Sequence, residues 1–219
     1  MSGVKGRFEL IIFDWDGTLC NSIDGIVGCI QQSAINQQLE VPSVRRSRDV
    51  IGLSLDQAMM QLFPKLAGDC VSALVNEYRR LYLSRPAGID PLFAEVPELL
   101  IDLRQAGYRL AIATGKSRKG LEYVLDGSGI VDCFEMVCCG DESTSKPAPD
   151  MLYKLLKEGG VKAEKALMIG DSSLDLEMAN NAGIASVAVS SGVHSQSELM
   201  HFKPLICIDE VRELAVSLL

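Results

Sequence analysis

The chain has 219 residues, enough for one large core or for a core domain that carries a smaller inserted domain. Hydrophobic residues make up 47% and charged residues 23%, which is typical of a globular protein and excludes a disordered chain. The formal net charge of −8 argues against binding to nucleic acid or to an anionic membrane, because both need basic patches.

The apolar and cysteine patterns predict a cytoplasmic protein. No apolar run approaches the roughly 20 residues of a membrane-spanning helix, and no signal-like apolar segment precedes Asp14. The cysteines number seven, an odd count without CxxC spacing, which favours reduced thiols over a disulfide framework or a zinc site. Cys20, close to the acidic residues discussed next, is interpreted as a packing residue rather than a reactive thiol.

The first informative stretch is a short apolar run, Leu10–Phe13, that ends abruptly in acidic residues. The run predicts a strand buried on both faces of a parallel sheet. Asp14 and Asp16 follow it and would point to the same side, with a turn at Gly17 and Thr18. Adjacent carboxylates repel each other unless a cation neutralises them, so the pair predicts a cation site. The alternative is that the two acids only solvate the start of a loop.

Helical periodicity dominates the next segment, from about residue 21 to Leu83. Asn21 or Ser22 is predicted to cap the first helix, whose apolar residues are Ile23, Ile26, Val27 and Ile30. Three breaks are predicted, at Pro42 with Ser43, at Gly52 with Ser54, and at Pro64 with Gly68. The loop Arg85–Pro91, which contains Gly88, closes the segment. We therefore predict a helical domain over residues 20–85, inserted into a core formed by residues 1–19 and 86–219.

The remainder of the chain, from Val96 onward, alternates between helical and strand patterns. The predicted elements are a helix from Pro97 through Ala106, strands at Tyr108–Ala113, Phe134–Cys138, Ala166–Ile169, Ile184–Val189 and Leu205–Ile208, and a last helix at Asp209–Leu218. Repeated strand and helix units imply a parallel sheet with helices on both faces and right-handed crossovers. The predicted fold class is therefore α/β with an inserted all-helical domain.

Polar residues follow several of these strands, and the carboxyl ends of parallel strands share one edge of a sheet. Thr114, Gly115 and Lys116 follow one strand and are predicted to form a helix N-terminus. Exposed N–H groups and the helix dipole favour an anion such as phosphate at that position, and Gly115 would allow the anion to approach closely. The alternative for Thr114 is a simple N-cap.

A lysine and two further acids complete this predicted cluster. Lys146 precedes Pro147 and Pro149, which stiffen its loop, so its ammonium could neutralise phosphate oxygens. Asp171 follows a strand and could complete a magnesium site with the first acidic pair. Asp175 is predicted as a further ligand, with a helix-start acid as the alternative.

At this point the residues resemble a known family, the haloacid dehalogenase (HAD) superfamily. Its four ordered motifs are similar to Asp14-Trp15-Asp16-Gly17-Thr18-Leu19, to Thr114, to Lys146-Pro147, and to Gly170-Asp171-Ser172-Ser173-Leu174-Asp175. The helical insert resembles the C1 cap of that family, and the subgroup that the chain resembles most is the phosphoglycolate phosphatases. The resemblance implies a Rossmann-like core with a mobile helical lid.

The resemblance also implies roles for individual residues. Asp14 would be the nucleophile that forms an aspartyl phosphate, and Asp16 would be the general acid and then the general base. Asp14, the backbone carbonyl of Asp16 and Asp171 would hold Mg²⁺, while Thr114 and Lys146 would bind the transferring phosphoryl group. Such a division is chemically sensible, because a carboxylate kept ionised by metal can attack while its neighbour holds a proton.

The loop Ile51–Leu55 resembles the specificity loop of the family, so Gly52 is predicted to contact substrate together with Gly115 and Lys116. β-Phosphoglucomutases carry arginines in this loop, whereas this chain has Ile51 and Leu55, which favours a phosphatase over a mutase. Three arginines before the loop could point into the site or into solvent: Arg45, Arg46 and Arg48.

The predicted function is therefore a magnesium-dependent phosphatase for a small phosphorylated metabolite, similar to phosphoglycolate, with no nucleic-acid or membrane partner. A sugar phosphomutase is the enzymatic alternative. A signalling module that accepts phosphate on Asp14 is the non-enzymatic one, although Asp16 and the helical insert argue against it. Monomer and homodimer both remain open.

Overall fold

The computed structural model describes residues 6–86 and 89–219. Gly88 of the predicted loop Arg85–Pro91 lies outside these residues, as do residues 1–5 of the predicted core segment. In the described part of the chain, no helix combines the length and the apolar character that crossing a bilayer requires. All seven cysteines are free thiols.

One parallel sheet organises the fold. Its strands are β1 (Leu10–Phe13), β2 (Arg109–Thr114), β3 (Met136–Cys139), β4 (Ala166–Gly170), β5 (Ala185–Val189) and β6 (Cys207–Ile208). They form a six-stranded sheet in the order β3-β2-β1-β4-β5-β6, with every pairing parallel. β1 lies between β2 and β4, and all four of its residues are buried, as the continuous apolar run predicted. Because the strands are parallel, their carboxyl ends meet at one edge.

The helices fall into two groups. The insertion between β1 and β2 contains α1 (Ile23–Asn36), α2 (Val44–Arg48), α3 (Leu55–Leu62) and α4 (Gly68–Leu83). The remaining helices are α5 (Val96–Gln105), α6 (Arg118–Leu125), α7 (Asp150–Gly159), α8 (Ser173–Ala182), α9 (Gln196–Leu199) and α10 (Leu214–Leu218). The α/β fold with an all-helical insertion is therefore confirmed. The last helix is shorter than predicted, because a 3₁₀ turn at Val211–Glu213 precedes α10.

Both faces of the sheet are covered, which explains why the strands are apolar throughout. Successive β1 side chains point to opposite faces, so Ile11 and Phe13 join one apolar cluster while Leu10 and Ile12 join another. Helices α5, α6 and α10 supply the first cluster, and α7 with α8 supplies the second. The result is a three-layer arrangement with the core in two halves.

The helical insertion has an apolar cluster of its own. Buried residues of α1, α3 and α4 pack together there, and α1 lies against α4. A separate apolar cluster is what a domain formed by residues 20–85 would have. The domain boundaries themselves stay a prediction. We refer to α1–α4 with their connecting loops as the cap helices.

Local signals at the helix starts were predicted with mixed success. Pro97 lies in the first turn of α5, and the Ser43 hydroxyl accepts a hydrogen bond from the Arg46 amide at the start of α2. Ser22 occupies the N-cap position of α1, but its hydroxyl makes no capping bond. It donates instead to the carboxylate of Asp16, with 2.5 Å between the oxygens. The prediction of a capping side chain at this helix is therefore wrong, because a charged acceptor competes for the hydroxyl.

The burial pattern of α5 yields a first prediction. Replacing Leu103, which is fully buried, by alanine should lower the free energy of unfolding by about 2 to 5 kcal/mol, because a cavity replaces packed atoms. Ile101→Ala, on the exposed face of the same helix, should change it by no more than about 0.5 kcal/mol. Urea denaturation of both variants measures the difference, and equal losses would contradict this orientation of α5.

Candidate active site

Lys146 lies at the centre of the polar cluster at the carboxyl edge of the sheet. Its Nζ donates to Oδ1 of Asp14 at 2.6 Å and to Oδ1 of Asp175 at 2.7 Å, and the residue is only 1% exposed. Asp14 directly follows β1, Asp175 lies in the first turn of α8, and Lys146 lies in the loop before α7. The structure therefore brings these distant segments together as the sequence predicted.

Three buried carboxylates form the acidic part of the cluster. Asp14, Asp171 and Asp175 each place an oxygen within 4.8 Å of the others, among the described residues. Asp171 is oriented by the Thr18 hydroxyl and by the Val193 amide, both of which donate to it at 2.8 Å. Three carboxylates beside one ammonium leave surplus negative charge, and carboxylate oxygens are the ligands that Mg²⁺ prefers. The donor set therefore fits a divalent cation.

The electrostatics of the cluster also favour an additional positive charge. Burial raises the pKa of Asp14 well above its ordinary value, and Lys146 offsets this only in part while the neighbouring acids add to it. Burial, with the charge of Asp175, raises the pKa of Asp171 to about 7. Burial alone would lower the pKa of Lys146, but Asp14 and Asp175 outweigh it and raise that pKa. Protons and metal ions would therefore compete for the same carboxylates.

Asp16 occupies a different environment from Asp14. Its Oδ1 lies 3.0 Å from Nζ of Lys116 and accepts the bond from Ser22 described above. Nζ of Lys116 also donates to the hydroxyl of Tyr82, a residue of α4, at 2.8 Å. Asp16 contributes no carboxylate oxygen to the acidic cluster identified in the described residues. The two acids of the motif are thus separated, which suits different chemical roles.

The prediction that Thr114, Gly115 and Lys116 form a helix N-terminus is wrong. Thr114 is the last residue of β2, paired with Cys139 of β3, and α6 begins only after Ser117, whose hydroxyl accepts from the Gly120 amide. Strand pairing continues one residue further than predicted, through Thr114, so the helix begins after Thr114, Gly115 and Lys116 rather than at them. Thr114 remains at the strand end, where its Oγ1 accepts from the Lys116 amide at 3.2 Å.

Gly115 has a structural role that the sequence analysis missed. A Cβ atom at this position would overlap the carbonyl groups of Gly52 and Leu53 in the loop Ile51–Leu55, which we call the cap loop. Gly52 itself has a φ of +103°, a conformation that favours glycine. The two glycines therefore allow the cap loop to lie directly on the core, beside the predicted phosphate site.

Polar contacts reinforce this seating of the cap. The Ser54 amide donates to the Ser145 hydroxyl, and Nη2 of Arg48 donates to the Gly192 carbonyl, each at 2.8 Å. Arg46 donates to the Leu62 carbonyl, and Arg45 is exposed. The three arginines before the cap loop therefore fasten or solvate the cap rather than line the acidic cluster.

Cys20 behaves as the packing residue that was predicted. It is 1% exposed, and burial together with the charge of Asp16 raises the pKa of its thiol to about 12. A thiol held in the protonated form is a poor nucleophile.

A cavity of about 470 Å³ lies between the cap helices and the core. It begins at Asp16 and Lys116 and extends along the cap loop and α4. Sequence periodicity predicted many of these residues only as apolar positions of helices. The local sequence pattern is the same for a residue that lines a cavity and for one that packs in a core.

Comparisons with known proteins agree with this fold. The family described as haloacid dehalogenase-like hydrolase matches residues 11–189. The chain is 31% identical to "Probable phosphatase IndB" of Dickeya dadantii, over 94% of this chain and 91% of that protein. It is also 31% identical to "Phosphoglycolate phosphatase" of Pectobacterium atrosepticum, over 93% and 89% of the two chains. A solved structure, a predicted phosphoglycolate phosphatase from Haemophilus somnus, superposes with a TM-score of 0.85 at 26% identity, covering 96% and 98%.

The chain belongs to the haloacid dehalogenase-like hydrolase family. It is a phosphatase of that family, so the predicted enzyme class and the predicted relationship to phosphoglycolate phosphatases are both confirmed.

The raised pKa values of Asp14 and Asp171 predict how stability depends on pH without metal. A carboxyl with a higher pKa in the folded than in the unfolded state stabilises the fold at low pH and loses that contribution as pH rises through the folded value. With a chelator present, the free energy of unfolding should therefore fall between about pH 5 and about pH 8. Urea denaturation across this range measures the slope.

Asp171→Asn should make the slope shallower, because the amide does not titrate. Asp102→Asn, an exposed position on α5, removes one charge without touching the cluster and serves as the control. If the dependence of the free energy of unfolding on pH is unchanged in Asp171→Asn, the raised pKa of Asp171 is not its cause.

Proposed function

We propose that this protein is a magnesium-dependent phosphomonoesterase that hydrolyses a small phosphorylated metabolite through an aspartyl phosphate on Asp14. The observation that carries the proposal is the contact of Lys146 with Asp14 inside a buried cluster of three carboxylates. A buried ammonium beside a nucleophile can hold phosphoryl oxygens. The three carboxylates carry more negative charge than this one ammonium neutralises, which favours binding of a cation.

The acidic cluster and the end of β1 supply the ligands for Mg²⁺. Asp14, Asp171 and the backbone carbonyl of Asp16 would hold the ion, and Asp175 lies within the same group of oxygens. Asp175 also accepts from Lys146 with Oδ1 and from Ser172 with Oδ2, so its geometry favours orienting Lys146. The bound ion would neutralise charge on Asp14 and on the phosphoryl oxygens.

Asp14 and Asp16 divide the chemistry between them. Ionised Asp14 attacks phosphorus, forming the Asp14–phosphate bond while the bond to the alcohol oxygen breaks, and Asp16 gives its proton to that oxygen. Water then attacks the aspartyl phosphate, Asp16 takes its proton, and the bond to Asp14 breaks. Thr114, at the end of β2, and Lys146 hold the phosphoryl oxygens in both steps.

The surroundings of Asp16 support its role as acid and base. Ser22 and Lys116 hold the carboxylate from two sides, which orients it. Lys116 is in turn bonded to Tyr82 of α4, so the position of Asp16 is linked to the position of the cap helices. Closure would also exclude bulk water from the reaction.

The finer prediction, a substrate similar to phosphoglycolate, is supported by relatives that carry that name. Gly52, Gly115 and Lys116 line the cavity between the cap helices and the core, and we propose that they contact the substrate there.

Asp14→Asn tests the nucleophile. The amide has the same size but cannot form the aspartyl phosphate, so release of p-nitrophenol from p-nitrophenyl phosphate with Mg²⁺ should fall by at least about a thousandfold. Asp24→Asn, whose side chain is 95% exposed on α1, is the control and should retain activity. Undiminished release from Asp14→Asn would remove the central assignment.

Magnesium dependence gives a separate prediction. Activity should vanish with a chelator and return with Mg²⁺. Because the ion must displace a proton from Asp171, whose pKa is raised to about 7, its apparent affinity should weaken as pH falls. We expect about tenfold weaker Mg²⁺ binding near pH 6 than near pH 8. Calorimetric titration measures it, and an affinity independent of pH would count against Asp171 as a ligand.

A further inference from the structure

The cavity beside Asp16 is the feature from which a substrate class can be inferred. Its core side includes Asp16, Gly115, Lys116 and Ser117, with the exposed residues Lys119 and Asp141 farther out. Its cap side and walls are mostly apolar, with contributions from Ile30, Ile51, Leu55, Tyr78, Tyr82 and Leu83. The cavity, which we call the chamber, therefore has mostly apolar walls and has the proposed acid–base residue Asp16 on its core side.

The leaving alcohol must occupy this chamber if Asp16 protonates it. A general acid has to lie within hydrogen-bond reach of the oxygen that it protonates, so that oxygen lies next to Asp16. Asp14, Asp171 and Lys146 are not among the residues that line the cavity. The phosphoryl group thus belongs on the side of the acidic cluster, and the body of the alcohol belongs on the side of the cap.

The size of the chamber exceeds what a two-carbon acid requires. Pockets that bury drug-sized ligands measure about 300 to 1,000 Å³. The cavity measures about 470 Å³ with the cap seated on the core, which lies in that range.

The lining also favours an uncharged body. Lys116 is already paired with Asp16 at 3.0 Å, and it lies 4.4 Å from the centre of the Tyr82 ring. Arg79 faces Asp56 at 3.8 Å with its side chain 43% exposed, and Lys119 is exposed, so both lie at the rim. A short carboxylate in this chamber would lose its hydration against walls that are mostly apolar.

Two aromatic residues of α4 line the chamber. The rings of Tyr78 and Tyr82 stack with their centres 5.9 Å apart and their planes 12° from parallel. Burial raises the pKa of Tyr78 well above its ordinary value and that of Tyr82 to about 12, so both phenols stay neutral. The two side chains add aromatic surface that a ring in the substrate could contact.

We infer that the substrate is a phosphate monoester of an uncharged alcohol with a bulky apolar, ring-bearing body, rather than of a short hydroxy acid. The inference depends on the proposed function, because it uses Asp16 as the acid that protonates the leaving oxygen.

Three primary phosphate esters test the inference: benzyl phosphate, ethyl phosphate and phosphoglycolate. All three break a bond between phosphate and a CH₂–O group, so differences in kcat/KM report mainly on binding of the alcohol. Burial of a ring of this size should make kcat/KM for benzyl phosphate about 10 to 100 times that for ethyl phosphate. Phosphoglycolate should be no better than ethyl phosphate.

Cavity-filling variants locate the effect. Leu55→Trp, at the start of α3, should lower the ratio of benzyl to ethyl kcat/KM by about tenfold, because the indole occupies the chamber. Leu83→Phe fills the other end of the wall and serves if the first variant is unstable. Met60→Trp, on the exposed side of α3, adds the same side chain outside the cavity and should leave the ratio unchanged.

The possible outcomes separate this inference from the proposed function. Higher kcat/KM for phosphoglycolate than for benzyl phosphate would overturn the substrate class while leaving a working phosphatase. A ratio that is unaffected by both filling variants would overturn the location of the alcohol. Absence of turnover for all three esters and for p-nitrophenyl phosphate would instead overturn the proposed function, and the inference with it.

Discussion

The buried contact of Lys146 with Asp14 and Asp175 is the interaction on which the rest of the site depends. An ammonium that is fully removed from water is costly unless close carboxylates compensate it, and here two do so at 2.6 and 2.7 Å. Those partners come from the end of β1 and the start of α8, while Lys146 comes from the loop before α7. Loss of one partner would leave an uncompensated buried charge, so the geometry of the site and the packing of the sheet support each other.

The two acids of the first motif show how environment assigns different tasks to the same residue type. Asp14 lies among other carboxylates, and burial raises its pKa. A nearby cation would stabilise its ionised form. Asp16 is only two residues away, but it is held by Ser22 and Lys116 outside that group. In the proposed mechanism the first carboxylate is the nucleophile and the second is the general acid and base. Tyr82 connects this second environment to the cap helices through Lys116.

Catalytic and selective features are distributed over different parts of the fold. The carboxyl edge of the sheet carries the groups that we propose act on phosphate, and the cap helices supply most of the walls of the chamber proposed to receive the alcohol. Gly115 allows these parts to meet, since any side chain there would overlap the cap loop. Substitutions in the cap walls could therefore change the preferred alcohol without disturbing Lys146 or the acidic cluster.

The sequence by itself determined the α/β class, the helical insertion, the position of β1 and the acids, threonine and lysine that converge at the sheet edge. Those features follow from local periodicity and from polar residues that end apolar strands. Only the tertiary structure decided that β2 continues through Thr114, that Asp175 partners Lys146, and that Tyr82 reaches Lys116 to enclose a large chamber. Each of these depends on a neighbouring strand or on a side chain from a distant segment, and such long-range packing leaves no mark in local sequence pattern.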